Sequence, residues 1–209
     1  MLSTNAWVIL SALSMANIVE QIDRYVFQVS PIPYIDYSSY SYSLLAGTLF
    51  SVVYCIGVIL FALLNDRWKY DRITIVSISC LTSSITLLLV PFVTEFWELA
   101  VLRLLMGASQ APITIFCASL IKDLFLYTKT GIAFGLFNTG TFLGFALSLS
   151  IGTTLYDKSG WKYSYILFGF LGCFYSLCIR LTLKDPDPKF GPQTGSSGSS
   201  GSGGGSGSG

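Results

Sequence analysis

The chain contains no histidine. That absence removes histidine-based zinc sites, histidine triads and histidine proton relays. Charge is scarce too. Asp, Glu, Lys and Arg together make up 11% of the residues, against about 25% in an ordinary soluble domain. Cys55, Cys80, Cys117, Cys173 and Cys178 all fall inside apolar runs, and no pair has zinc-ligand spacing in a polar loop. They read as small packing residues. There is no Gly-x-Ser-x-Gly elbow and no pair of catalytic aspartates on adjacent segments, so an enzyme is not indicated. No cofactor, metal ion or nucleic-acid partner is expected.

What is present is apolar. Hydrophobic residues make up 52% of the chain, with 15 Phe and 12 Tyr, and the mean hydropathy is +0.64. A bilayer core of about 30 Å needs about 20 helical residues to cross it. Six stretches reach that length, at about 6–29, 44–64, 73–93, 96–121, 131–155 and 161–183. The expected fold is therefore an all-α integral membrane bundle of six transmembrane helices. The first stretch lacks a basic leader and a clear cleavage site, so it is not read as a signal peptide. Arg67, Lys69, Arg72, Lys122, Lys129, Lys184 and Lys189 fall on one side of the bundle, and only Lys158 and Lys162 on the other. The positive-inside rule then puts both termini in the cytoplasm. With no targeting signal, the chain fits the plasma membrane or an internal one. Residues 195–209 are glycine and serine alone, a flexible coil with the regularity of an engineered linker. The bundle is accordingly assigned to residues 1–193 and the linker to 194–209.

The informative residues are charges at membrane depth. Each costs about 2.5–3.5 kcal/mol at a helix centre unless paired or hydrated. Glu20, Asp23 and Arg24 interrupt the first stretch at i, i+3 and i+4, which puts them on one helix face. Glu20 and Arg24 can pair within the helix, and Asp23 can reach a neighbouring one. The plain reading is an ion pair that helps packing. The functional reading is a site for a cation, a proton or a charged head group. In the fourth stretch Arg103 is the natural partner of Asp23 or Glu20, unless it snorkels to the interface. Gly107, Ala108, Ser109 and Ala111 form a small-residue face beside Gln110, and Pro112 removes a backbone donor. Gly135, Asn138, Gly140 and Gly144 read as a packing seam on the fifth. Asp66 and Arg67, in the loop after the second, read as a conformational latch.

The order of these motifs resembles the N-terminal half of the major facilitator superfamily. Ala62-Leu-Leu-Asn-Asp66-Arg67 is similar to its loop signature, Arg103-xxx-Gly107-xx-Gln110-Ala111 to its fourth-helix signature, and the glycine-rich fifth stretch to its fifth. Glu20-Gln-Ile-Asp23-Arg24-Tyr25 resembles the first-helix motif of the Spinster-like branch. Two departures stand out. Ala62 replaces the loop glycine, and Gln110 stands where the branch has a proton-linked glutamate, while Glu20 stands where it often has asparagine. The carboxylate has in effect moved from the fourth helix to the first.

The resemblance implies a twelve-helix carrier of two halves, with substrate between them near the bilayer midplane and alternating access by rocking. This chain supplies one half, and the partner is a second six-helix half or a partner subunit. Membrane lipids surround it. The branch implies a small or amphipathic solute such as a lysolipid or a sphingoid phosphate, with Arg24 or Arg103 suited to the phosphate. The alternative is a non-transporting six-helix subunit that scaffolds a larger assembly. Gln110 and the diluted loop signature favour it, and the retained charges oppose it.

Overall fold

The computed structural model describes residues 2–30, 32–33, 48, 50–67, 71–125 and 127–183, and their side chains apart from 2–5, 65–67 and 127–128. Among the described residues there are six α-helices and no strand: α1 (Leu2–Val29), α2 (Phe50–Arg67), α3 (Arg72–Leu89), α4 (Phe96–Leu124), α5 (Tyr127–Ser159) and α6 (Trp161–Thr182). A short 3-10 turn, Val90–Phe92, extends α3. The regular structure of the described residues is all helical, as the hydropathy requires. Residues 44–47 and 49, read from the sequence as the start of the second helix, lie outside the described residues.

Among the described residues, four helices are long and apolar enough to cross a membrane: the spans Arg72–Phe92, Phe96–Leu124, Lys129–Ser159 and Trp161–Thr182. α1 is 28 residues long, roughly 42 Å at 1.5 Å per residue, and its central charges are what lower its hydropathy. Large apolar side chains on α2, α5 and α6 point outward, among them Ile59, Leu63, Leu143, Phe170 and Phe174. So much exposed hydrocarbon suits lipid rather than water. Buried positions instead include many small hydroxyls, notably Ser77, Ser83, Ser84 and Thr86 on α3. Lipid supplies little hydrophobic drive between helices, so close packing and hydrogen bonds bring them together.

Those small residues set the helix pairs. α1 packs chiefly on α5, α3 on α6 and α4, and α2 on α4. On α3 and α6, Ser77 Oγ donates to the Ser176 carbonyl at 2.9 Å and Ser176 Oγ to the Ser77 carbonyl at 2.6 Å. Gly57 of α2 lies so close to α4 that a Cβ there would sit 2.8 Å from the Ala111 Cβ. The start of α4 is closed by a capping box between Glu95 and Glu98, which satisfies free amides of the first turn. The α5–α6 connection turns at Gly160, whose φ of +92° a side chain would strain.

The α1–α5 seam corrects part of the expectation. On α5 the inward stripe is Ala133, Phe137, Gly140, Gly144, Ser148 and Gly152, spaced by four or three residues. A Cβ on Gly140 would lie 3.0 Å from the Ser14 carbonyl oxygen, and one on Gly144 would lie 2.7 Å from the Ile18 carbonyl oxygen. Gly135 has nothing within 4 Å of the same position, and Asn138 is exposed. Both sit outside the seam. At 100° per residue they fall on the opposite side of α5 from Gly140 and Gly144.

Candidate functional site

The polar residues of α1 and α4 meet where the two helices cross. Helical spacing puts Asn17, Glu20, Gln21 and Arg24 on adjoining faces of α1. Arg24 Nη2 donates to Glu20 Oε1 at 3.0 Å, an intrahelical ion pair. The same guanidinium takes Gln110 Oε1 from two nitrogens, Nε at 3.3 Å and Nη2 at 3.1 Å. Gln110 Nε2 leans back toward the Glu20 carbonyl at 3.5 Å. Gln110 therefore acts as a neutral acceptor that joins the two helices through Arg24.

Aromatic rings complete the surround of Arg24. Its guanidinium carbon lies 4.9 Å from the Tyr54 ring centre and 5.5 Å from that of Phe50. These two rings are stacked, 6.3 Å apart and inclined by 10°. Tyr54 shares a 2.8 Å hydrogen bond between its hydroxyl and that of Thr114, which fixes the ring against α4. Rings hold a cation through their electron-rich faces without neutralising it. Glu20 is buried, yet the Arg24 side chain keeps 24% of its surface exposed. Its Nη1 donates to no described residue.

Arg103 is nearly buried. Its guanidinium lies 3.6 Å from the Phe27 ring centre and 5.9 Å from that of Phe50. The expected pairing of Arg103 with Asp23 or Glu20 does not occur among the described residues: the ion pairs there are Arg24–Glu20 and Arg72–Asp123. Glu20 is taken by Arg24, one helical turn away. Arg103 sits almost two turns before Gln110 and meets the later turn of α1 that carries Phe27. The Phe50 ring thus lies within 6 Å of both guanidiniums. Asp23 does reach a neighbouring helix, accepting from Ser83 Oγ of α3 at 3.4 Å.

Beside this cluster, Asn17 donates to the Phe137 carbonyl at 2.9 Å and to Thr141 Oγ1 at 3.1 Å, and Gln21 donates to Asn17 Oδ1 at 3.3 Å. The two Asn17 bonds hold α1 against α5 at the Gly140–Gly144 approach. Gly107 meets Phe50, whose ring lies 3.2 Å from where its Cβ would be. The side chains of Asp66 and Arg67 lie outside the described residues. At the same end of the bundle, Arg72 pairs with Asp123 and donates to Ser119 Oγ at 3.1 Å, tying the start of α3 to the end of α4. Sequence reading missed Asn17, Gln21, Phe50, Tyr54 and Arg72. The i, i+4 spacing of Asn17 and Gln21 was an available signal. The rings had none, because nothing local distinguishes them from lipid-facing aromatics.

The family model of the Major Facilitator Superfamily matches residues 1–202. The chain belongs to that superfamily. It is a multi-pass membrane protein of a transporter family rather than an enzyme. Its resemblance to the Spinster-like branch holds in sequence and in structure. It is 26% identical over 186 residues to Protein spinster homolog 3 of Danio rerio, covering 87% of this chain and 37% of that protein. It is 25% identical over 184 residues to Protein spinster of Drosophila melanogaster, covering 86% and 30%. In structure it matches a bacterial homolog of the human lysosomal transporter Spinster. The inward-facing, unoccupied crystal form gives a TM-score of 0.74 at 21% identity, covering 87% of this chain and 43% of that one. The occupied form gives 0.72 at 23% identity, covering 87% and 46%. The chain thus spans about a third of the length of the curated relatives it matches.

Proposed function

We propose that this chain forms one half of a secondary transporter that moves an amphipathic solute with an anionic head group by alternating access. A second six-helix half or a partner subunit would complete it, with both termini in the cytoplasm. The observation that carries this reading is Arg24. Its guanidinium is oriented by Glu20 and Gln110, lies over the rings of Phe50 and Tyr54, and still keeps part of its side chain exposed. A planar, fixed guanidinium with a free edge suits a phosphate or carboxylate. The surrounding rings suit the hydrocarbon next to such a group. A lysolipid or a sphingoid phosphate has this chemistry.

Charge balance supports the same reading. Glu20 and Asp23 bring two negative charges, and Arg24 and Arg103 bring two positive ones. Gln110 adds none, so Arg24 faces one carboxylate instead of two. The arginine is thereby left able to take a second anion.

The test is flux of a lysophospholipid into liposomes carrying the full-length protein. A hydrogen bond to a charged group is worth about 1.5–3 kcal/mol, so Arg24→Ala should cut flux roughly 10–150-fold. Membrane insertion should be retained. Unchanged flux in Arg24→Ala, Arg103→Ala and Asp23→Asn would end the assignment. Loss of assembly with no flux in the parent protein would favour the scaffold reading instead.

A further inference from the structure

A cleft opens where α3 leads into α4, beside the start of α6. It holds about 450 Å³ and is lined by Pro91, Phe92, Val93, Thr94 and Lys162. Its base is firm. Val90 and Pro91 of the 3-10 turn are buried, and Trp161 packs against the apolar cluster that contains Val90 and Val93. Its rim is bare. Phe92 is 77% exposed, and Trp97 in the first turn of α4 is 75% exposed.

The cleft lies at the ends of three membrane spans, Arg72–Phe92, Phe96–Leu124 and Trp161–Thr182. Such ends meet the bilayer at head-group level, where Trp and Tyr gather, and Trp97, Trp161 and Tyr163 stand at this one. About one turn further in, Leu89, Val101 and Leu167 are exposed, at the spacing that places each on the same helix face as Phe92, Trp97 or Tyr163. Hydrocarbon thus has an apolar surface that continues inward from the cleft.

Lys162 carries a charge that no described carboxylate pairs: the ion pairs among the described residues are Arg24–Glu20 and Arg72–Asp123. Its ammonium lies 5.4 Å from the Trp161 ring centre, and a ring face attracts a cation without neutralising it. The acids at the start of α4 are engaged with their own helix. Glu95 and Glu98 form its capping box, and Glu98 Oε2 accepts from the amides of Thr94 and Glu95 at 2.9 and 3.3 Å.

We propose that this cleft docks an anionic glycerophospholipid, with its phosphate on Lys162 and its acyl chains over Phe92 and Trp97. Charge complementarity selects the occupant. A phosphodiester brings one negative charge and acceptor oxygens to the three donors of the ammonium. A zwitterionic head group brings its own cation and leaves the local charge unbalanced. The exposed rings suit the chains of the same molecule. The cleft shares no residue with the Arg24 cluster, so this lipid is a bound partner at the rim and not cargo, and the proposal stands apart from the carrier reading.

The experiment places the full-length protein in vesicles of phosphatidylcholine and phosphatidylglycerol, with one lipid at a time carrying brominated acyl chains. Bromine quenches tryptophan on contact, and the Trp97 signal is the difference between the parent and Trp97→Phe. A lysine at the membrane surface favours an anionic lipid by about five-fold. Brominated phosphatidylglycerol should therefore quench Trp97 at a mole fraction about five-fold lower than brominated phosphatidylcholine. Lys162→Gln should make the two lipids equal, while Lys162→Arg keeps the preference. Lys158→Gln, which changes a lysine outside the cleft, should also keep it. Equal quenching by both lipids in the parent would overturn the proposal. So would a preference that survives in Lys162→Gln, or one lost equally in Lys158→Gln, which would report surface charge in place of a site.

Discussion

Two glycines on one helix offer a controlled test of the packing. Gly144 and Gly135 both lie within α5, so replacing either by alanine brings the same intrinsic helix gain, up to about 1 kcal/mol. Their surroundings differ completely. A Cβ on Gly144 would come within 2.7 Å of both the Ile18 carbonyl oxygen and the Gln21 Cβ. Neither can rotate away, because one is main chain and the other is the root of its side chain. α1 and α5 would have to separate, and overpacking of this kind costs about 1–3 kcal/mol. A Cβ on Gly135 meets nothing within 4 Å. The shared propensity gain cancels when the two variants are compared, so the difference reports the clash alone. At about 2–4 °C per kcal/mol for a chain of this size, Gly144→Ala should melt roughly 2–12 °C below Gly135→Ala. The assay is thermal unfolding of both variants in the same detergent, followed by tryptophan fluorescence. Equal midpoints, or a lower one for Gly135→Ala, would mean that α5 packs through a different face.

Other expectations concern the Arg24 cluster. Tyr54→Phe keeps the ring beside Arg24 and loses only the hydroxyl bond to Thr114, so its apparent affinity for an anionic lysolipid should stay near the parent value. Tyr54→Leu removes the ring and should weaken that affinity several-fold, and equal flux kinetics in the two variants would exclude a role for the ring. Gln110→Glu places a second carboxylate on Arg24, so it should raise KM for an anionic solute more than for a neutral one; an equal change for both would deny that Arg24 reads charge. If the carboxylate of the first helix has taken over proton linkage, Glu20→Gln should flatten the pH dependence of flux, and an unchanged profile would remove Glu20 from that role.

Much of this protein was readable without coordinates. The scarcity of charge and the long apolar runs require helices, because a backbone in lipid must satisfy its own hydrogen bonds. Glu20, Asp23, Arg24 and Arg103 stood out for the same reason: each is costly at membrane depth, so each marks a place where helices supply polar company. The i, i+4 spacing of Glu20 and Arg24 was enough to foresee their pair, since both lie on one helix. Gly140 and Gly144 read as small enough for close approach, and in the structure both lie against α1.

Partners on different helices were not readable. Arg103 was matched to a carboxylate by charge alone, but the register between α1 and α4 brings it to Phe27 instead, and gives Gln110 to Arg24. Gly135 and Gly144 look alike in sequence, and only the direction from which α1 approaches α5 separates them. The rings of Phe50 and Tyr54 turn inward while Phe142 and Phe145 of α5 and Phe170 and Phe174 of α6 face outward, a choice made by rotation of α2 against α4. Ser84 reaches its place beside Asp23 because Gly172, far along the chain, leaves space for its side chain. Composition and local spacing determined that the chain would be built of apolar helices with charges to hide. Which charge meets which group was decided by helix rotation and register, because those are set by the sum of contacts along whole helix faces and not by any residue's neighbours in sequence.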